Sequence, residues 1–337
     1  MTPLSALGHF LLRYRLWVIL ALTLVLGIAL VPGFFSLRTL AFSLDTASTV
    51  GIVAVGITVV LIAGRIDLSV GSILAFCGIV VIDLEPVLGS WLATLAGIAA
   101  GGVIGLVNAG LVITLGIDSM IATLATMLGV RSLAHLVTNS LPVTGVDQAF
   151  GAALTGDFIG AVTSRVVVFL VLIALLQLWL SRTPAGRNLY AVGSNTVAAR
   201  DSGINATRYI VGAFVFAGLC AGLAGVLLSL NVNTGSPVFG ATVLISSVVA
   251  VVMGGTPLEG GRGSALGTLG GVVTVGAMTT AFEYASVPAY TQQIAIGTIL
   301  VFLIIMDRLA LAARTRRSAE PGGGPSHAGR AAPAASR

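Results

Sequence analysis

No lysine occurs anywhere in the 337 residues, and only 9% of the chain is charged. Soluble domains carry about a quarter of their residues as charges, so this chain has too little polar surface to stand in water. There are two cysteines, Cys77 and Cys220, each inside an apolar stretch with no polar neighbour. That excludes a disulfide framework and reads both as small buried hydrophobes. Also missing are a GxxxxGK[ST] phosphate loop, an HExxH motif, and any Ser-His-Asp or Cys-His set at a water-exposed surface. The chain thus offers no catalytic residues, no cofactor site and no metal site, and no water-soluble domain of useful size.

What is present is apolar: 56% of the residues are hydrophobic, with a mean hydropathy of +1.06. The fold class is all-α, a polytopic membrane protein whose first partner is lipid. All seventeen basic residues are arginine, and the isoelectric point is near 9.9. A nucleic-acid surface needs clustered charge interleaved with aromatics. Here the arginines stand in short loops at span ends, so the basic excess reports topology and not a nucleic-acid partner.

A helix needs about 20 apolar residues to cross the hydrocarbon. The hydropathy pattern gives about ten spans, near 16–34, 48–64, 70–86, 90–115, 118–137, 165–181, 208–231, 242–254, 264–284 and 290–307. The first follows Arg13 and Arg15 as a signal peptide would. No small-residue cleavage site follows, only Pro32-Gly33-Phe34-Phe35, so it is read as a retained span. With Arg13 and Arg15 in the cytoplasm, alternation puts both termini there, beside Arg308, Arg314, Arg316 and Arg317. The same alternation leaves 138–164 outside and only Arg38 against the positive-inside rule. Residues 1–308 form the membrane domain. Residues 309–337, ending in a Gly-, Pro- and Ala-rich stretch, are expected to form a disordered cytoplasmic tail.

One polar island interrupts this pattern: TPAGRNLYAVGSNTVAARDSGI, residues 183–204, within a loop spanning 182–208. Each charge at the bilayer centre costs roughly 2.5–3.5 kcal/mol, so the island belongs in water, where it has a partner or is merely a solvated connection. Thr183-Pro184 starts one short helix, with Thr as cap and Pro at the first turn. Ser194-Asn195 starts a second that stops at Gly203, with Gly193 as the hinge between the two. The Ala198-Ala199 face and Arg200 are expected to dock on another protein.

In its residues the island resembles the cytoplasmic coupling loop of the permeases of sugar-type ABC importers, relatives of the branched-chain amino-acid permeases. Ile66-Asp67-Leu68-Ser69-Val70-Gly71-Ser72 is similar to that family's GGIDLSVGS segment, with Arg65 in place of its second Gly. Val251 to Thr256 and Gly260 to Ser264 are similar to its VVxGGTxLxGGxGS segment. The resemblance implies a bacterial plasma-membrane permease for a ribose-, xylose- or galactose-like monosaccharide. It also implies a second permease copy, ATPase subunits that perform the hydrolysis, and an extracytoplasmic solute-binding protein. It assigns ATPase coupling to Gly186, Arg187, Tyr190, Gly193, Asn195, Ala198, Ala199, Arg200, Ser202 and Gly203. The chain departs from the family at Leu244 and Ser246, positions where carboxylates are common, which bears on the solute.

Several polar groups and glycines remain as pathway or gate candidates. Asp67 and Ser69, with Gly64 and Gly71, interrupt an apolar pattern. They form either a helix break at the mouth of a pathway, with Ser69 or Asp67 capping the next helix, or a plain turn with Asp67 paired to Arg65. The five-glycine run from Gly254 to Ser264, with Gly254, Gly255, Gly260 and Gly261, reads as a gate, a hinge or a tight turn, with Glu259 and Arg262 as a possible pair. Asn108, Gln177, Gln292 and Gln293 are neutral polar groups suited to holding helices together or to meeting hydroxyls. Arg131 and His135 share one face of a span. Gly97, Gly101, Gly105, Gly218 and Gly222 have GxxxG spacing and mark close helix packing. Import of a nucleoside or a branched-chain amino acid, and a membrane enzyme or passive channel, stay open as alternatives.

Overall fold

The computed structural model describes residues 16–25, 27–29 and 34–319. Arg13, Arg15, residues 30–33 and 320–337 lie outside them, and with them most of the expected tail. Helices follow one another as α1 (Leu16–Ala29), α2 (Leu37–Ile62), α3 (Val70–Leu88), α4 (Ser90–Ile113) and α5 (Ser119–Val137), then α6 (Gln148–Thr155) and α7 (Ser164–Arg182). The chain continues through α8 (Pro184–Ser194), α9 (Thr196–Asp201), α10 (Ala206–Asn231), α11 (Ala241–Met253), α12 (Ala265–Tyr284) and α13 (Ala289–Ala319). Four two- or three-residue strands, β1 (Val143–Thr144), β2 (Asp157–Ile159), β3 (Val162–Thr163) and β4 (Thr234–Gly235), pair as β1–β4 and β2–β3. Among the described residues eight helices are long and apolar enough to span a membrane, so the all-α, polytopic reading holds.

One expected span, 242–254, is found at the length drawn, as α11, but its 13 residues reach only about 20 Å against a hydrocarbon core of about 30 Å. Another, drawn as 48–64, starts eleven residues earlier as α2, at Leu37. The added turns carry Asp45, whose carboxylate accepts from Thr163 Oγ1 and pairs with Arg165 of α7 at 2.5 Å. The last helix runs to Ala319, past the boundary drawn at residue 308.

The core is built on α2 and α10, the two 26-residue helices. Where α4 crosses α10, a Cβ on Gly101 would lie 2.3 Å from Gly218 O, and one on Gly105 2.4 Å from Phe214 O. The spaced glycines therefore bring two backbones into contact, as small residues do between membrane helices. Gln177 Oε1 accepts from Leu266 N at 3.2 Å, tying α7 to the start of α12. On the side opposite α8 and α9, Glu85 at the end of α3 is buried. Its Oε2 accepts from Val146 N at 2.9 Å and Asp147 N at 3.3 Å, holding the loop that carries β1.

Candidate coupling and pathway site

The 183–204 island folds as two capped helices. Thr183 Oγ1 accepts from Gly186 N at 3.0 Å, with Pro184 opening α8. Asn195, at φ −158° and ψ 101°, breaks the helix, and its Oδ1 accepts from Val197 N and Ala198 N at 3.0 Å each to start α9. α9 ends in a Schellman motif: Gly203 has φ +81°, with Ile204 N donating to Ala199 O at 3.0 Å and Gly203 N to Arg200 O at 2.9 Å.

Three details differ from the sequence reading. The hinge is Asn195, because Gly193 is helical and ends no element. Ala198 and Ala199 do not share a face, since successive helical residues point about 100° apart. Ala199 is buried in the permease's own core, whereas Val197, Ala198, Arg200 and Ser202 are exposed. Gly186 is also buried, where a Cβ would lie 2.5 Å from Trp179 O and 2.6 Å from Leu180 O. It lets α8 fold back on α7 and presents nothing to a partner. Arg187 is exposed on α8.

Gly193 does something else. A Cβ there would fall 1.8 Å from Ile62 O and 2.9 Å from Gly261 N. The backbone of α8 thus lies directly on the last residue of α2 and on the 254–264 run. Gly261 N donates to Ile62 O at 3.0 Å, closing the third side of this junction. Gly64, Gly260 and Gly261 all have positive φ, and a Cβ on Gly260 would be 2.5 Å from Gly64 Cα. Only glycine combines that backbone with that closeness. Tyr190 Oη donates to Gly263 O at 2.8 Å, and burial pushes the phenol's pKa up, so it stays a donor. Gly254 packs against α12 (a Cβ would be 2.3 Å from Gly267 O), and Gly255 has φ +99° with open space around it. Glu259 pairs with Arg308 at 3.8 Å instead of with Arg262, and both partners are too exposed for the contact to contribute much.

From Gly64 the chain does not resume a helix at once. Ile66 N donates to Ser119 Oγ at 3.3 Å and Leu68 N to Thr123 Oγ1 at 3.1 Å. Two extended residues advance about 6.6 Å and four helical residues about 6 Å, so residues 66–68 run alongside the first turn of α5. Its hydroxyls supply the partners that irregular backbone needs at membrane depth. Asp67 Oδ1 then accepts from Ser69 N at 2.8 Å and Ser69 Oγ at 2.6 Å, and Ser69 Oγ accepts from Asn108 Nδ2 at 2.8 Å. Asp67 therefore bonds to Ser69, the N-cap of α3, and not to Arg65. Asp67, Ser69 and Asn108 are all buried, and Asp67 Oδ2 and Asn108 Oδ1 have no hydrogen-bond partner among the described residues.

Above this network α3 meets α11. A Cβ on Gly71 would be 2.5 Å from Gly240 O, and Gly240 has φ +80°. Residues 232–240 reach that point without forming a helix, with Gly235 packed on Ile79 midway along α3. This non-helical stretch is why α11 is short. Arg131 Nη1 holds it by donating to Pro237 O and, at 2.7 Å, to Phe239 O. Gly71, Ser72, Arg131, His135 and Leu244 face a cavity of about 390 Å³. Sequence reasoning paired Arg131 with His135 but missed what Arg131 holds, because both carbonyls lie more than a hundred residues away. Gln292 and Gln293 join neither the network nor the cavity lining. Gln292 Nε2 donates to Val287 O at 2.9 Å as a local cap, and Gln293 is exposed on α13.

The profile of the family described as "Branched-chain amino acid transport system / permease component" matches residues 39–304. The ribose import permease protein of Bacillus subtilis is 35% identical over 313 residues, covering 90% of this chain and 93% of the relative. The Escherichia coli K12 ribose import permease is 33% identical over 86% of this chain and 92% of its own length. The L-arabinose ABC transporter permease protein of Azospirillum brasilense is 35% identical over 82% of each. All three cover more than four fifths of this chain at 33–35% identity. The chain therefore belongs to this permease family and is a membrane-spanning permease subunit of an ABC importer.

Proposed function

We propose that this permease imports a monosaccharide of the pentose or hexose type, with ATP hydrolysis supplied by separate subunits docked on the exposed face of α8 and α9. The observation that carries this reading is the glycine junction. Through Gly193, one short helix outside the spans touches both the end of α2, which leads into the Asp67 break, and the 254–264 run. A push on α8 therefore moves the two non-helical segments nearest the inner membrane face together. Relatives named for ribose and L-arabinose import support the solute class. A cavity wall of mainly neutral groups suits a polyhydroxylated solute that must be let go. A solute-binding protein delivers cargo on the opposite face, and a second permease copy completes the path.

Asp67, Ser69, Gly71 and Asn108 line or support the inner part of that path. A buried ionisable group with one unsatisfied oxygen is costly inside a membrane protein and marks a working site. Gly254, Gly255, Gly260 and Gly261 form the flexible side of the gate. Weak binding in the permease itself is consistent with release. Titration of the purified subunit with pentoses and hexoses is expected to give no dissociation constant tighter than roughly 1 mM. A micromolar site would overturn the division of labour proposed.

The arginine distribution puts α8, α9 and both termini in the cytoplasm. Cysteines placed at Ala153, on α6, and Ala198, on α9, are both exposed, whereas Cys77 and Cys220 are buried. An impermeant thiol reagent is expected to label Ala153→Cys in intact cells and Ala198→Cys only after the membrane is opened. Labelling of both in intact cells would refute this orientation.

A further inference from the structure

A groove of about 830 Å³ runs between α7 and α10 beside the coupling helix, outside the junction and pathway described above. Its long walls are apolar, with Leu172, Leu175 and Leu176 on α7 facing Phe216 on α10. Arg208 stands at one end, next to the N-terminus of α10. From Arg208 to Phe216 is eight helical residues, or about 12 Å, so the groove runs a good third of the way across a core of about 30 Å. Trp179 lines it near the Arg208 end, a level at which tryptophan favours the membrane–water interface. Asn188 of α8, whose Nδ2 donates to Tyr209 Oη at 2.9 Å, forms part of the same wall.

We propose that this groove seats an anionic glycerophospholipid of the adjacent leaflet, with an acyl chain along the α7–α10 walls and the phosphate at Arg208. The lining decides between occupants. A sugar would meet polar partners only at the Arg208 end, with Asn188, Asn205 and Tyr209, and none along the leucine and phenylalanine walls, so the length of the groove suits an acyl chain better than the solute. The polar end holds a cation and no Asp or Glu among the lining residues. The positive end of α10 adds to it, and basic pockets between spans on the cytoplasmic side recognise anionic headgroups. The groove is concave and opens on two spanning helices, so its long axis faces hydrocarbon. Because Asn188 and Leu189 belong to α8, a seated lipid would brace the segment that the ATPase moves, and membrane charge would then tune coupling. This goes beyond bulk lipid as solvent and holds whichever solute is carried.

The test uses the full-length purified permease and native mass spectrometry with dioleoyl phosphatidylglycerol or dioleoyl phosphatidylcholine as probes. Wild-type protein is expected to retain the anionic lipid about fivefold more strongly, the increment one arginine gives near a membrane surface. Arg208→Gln should erase that preference. Gly212→Leu should weaken retention of both lipids, because a Cβ there meets nothing within 4 Å and the side chain would fill the groove. Both variants are exposed changes, and their melting temperatures serve as the check on folding. Equal retention of the two lipids by wild type, or an undiminished preference in Arg208→Gln, overturns the proposal. So does a dimer lost in Gly212→Leu with lipid retention intact, which would assign the groove to a second copy.

Discussion

Gly193→Ala is expected to cut solute uptake ~10-fold or more while the protein still inserts in the membrane, because a single added carbon has nowhere to go. Its Cβ would sit 1.8 Å from Ile62 O and 2.9 Å from Gly261 N. Both are backbone atoms, so no rotamer change relieves the clash. Either α8 lifts from the end of α2, or the Gly261 N to Ile62 O bond lengthens beyond use. Overpacking of this kind costs typically about 1–3 kcal/mol, and here the strain falls on the contact that joins α8 to the end of α2 and to the 254–264 run. Gly129→Ala is the control, since a Cβ at Gly129 meets nothing within 4 Å, and uptake there should stay within about twofold. ATP hydrolysis by the assembled complex separates the readings. If the junction transmits motion, hydrolysis persists in Gly193→Ala while uptake falls. If both stay at wild-type level, the junction is only a place where helices touch.

The second large effect is expected at Val197→Glu. Val197 is 68% exposed on α9, an apolar side chain that the rest of the described chain does not cover. An unpaired charge buried at the proposed docking face costs on the order of several kcal/mol, so the ATPase subunit should no longer co-purify. Thermal stability should be unchanged, because the site is solvent-exposed in the permease alone. Ala199→Glu separates the two faces of α9. Ala199 is buried, so that change is expected to lower the melting temperature whether or not a partner is present. Co-purification of the ATPase with Val197→Glu at wild-type yield would move the docking surface elsewhere.

The caps and the packing glycines were legible in the sequence because both depend on local chemistry. Thr183, Pro184, Asn195 and Gly203 each signal a helix end through their own backbone preferences. Gly101 and Gly218 signal close approach through their spacing. What was not legible depended on distant partners. The early start of α2 was one such feature, since Asp45 within it pairs with Arg165, 120 residues on. Gly193 looked like a hinge because glycine breaks helices, whereas its small size is used to fit against Ile62 from another element. Ala199 looked available because hydropathy does not say which side of a six-residue helix faces the core. Glu85 carried no sequence signal at all, since its partners are backbone amides 61 and 62 residues away. Of the pathway candidates, Asp67, Ser69 and Asn108 met in one network, while Gln292 and Gln293 lie on a different helix.

The most direct test of the account is uptake into proteoliposomes that hold the permease with or without its cognate ATPase subunit, with binding protein and a labelled pentose or hexose outside and ATP within. Accumulation above the external concentration is predicted only when the ATPase and ATP are both present. Permease alone should leave the lumen nearly empty of solute. Equilibration through the permease alone, at the rate seen with the complete system, would make the chain a passive channel and contradict the account.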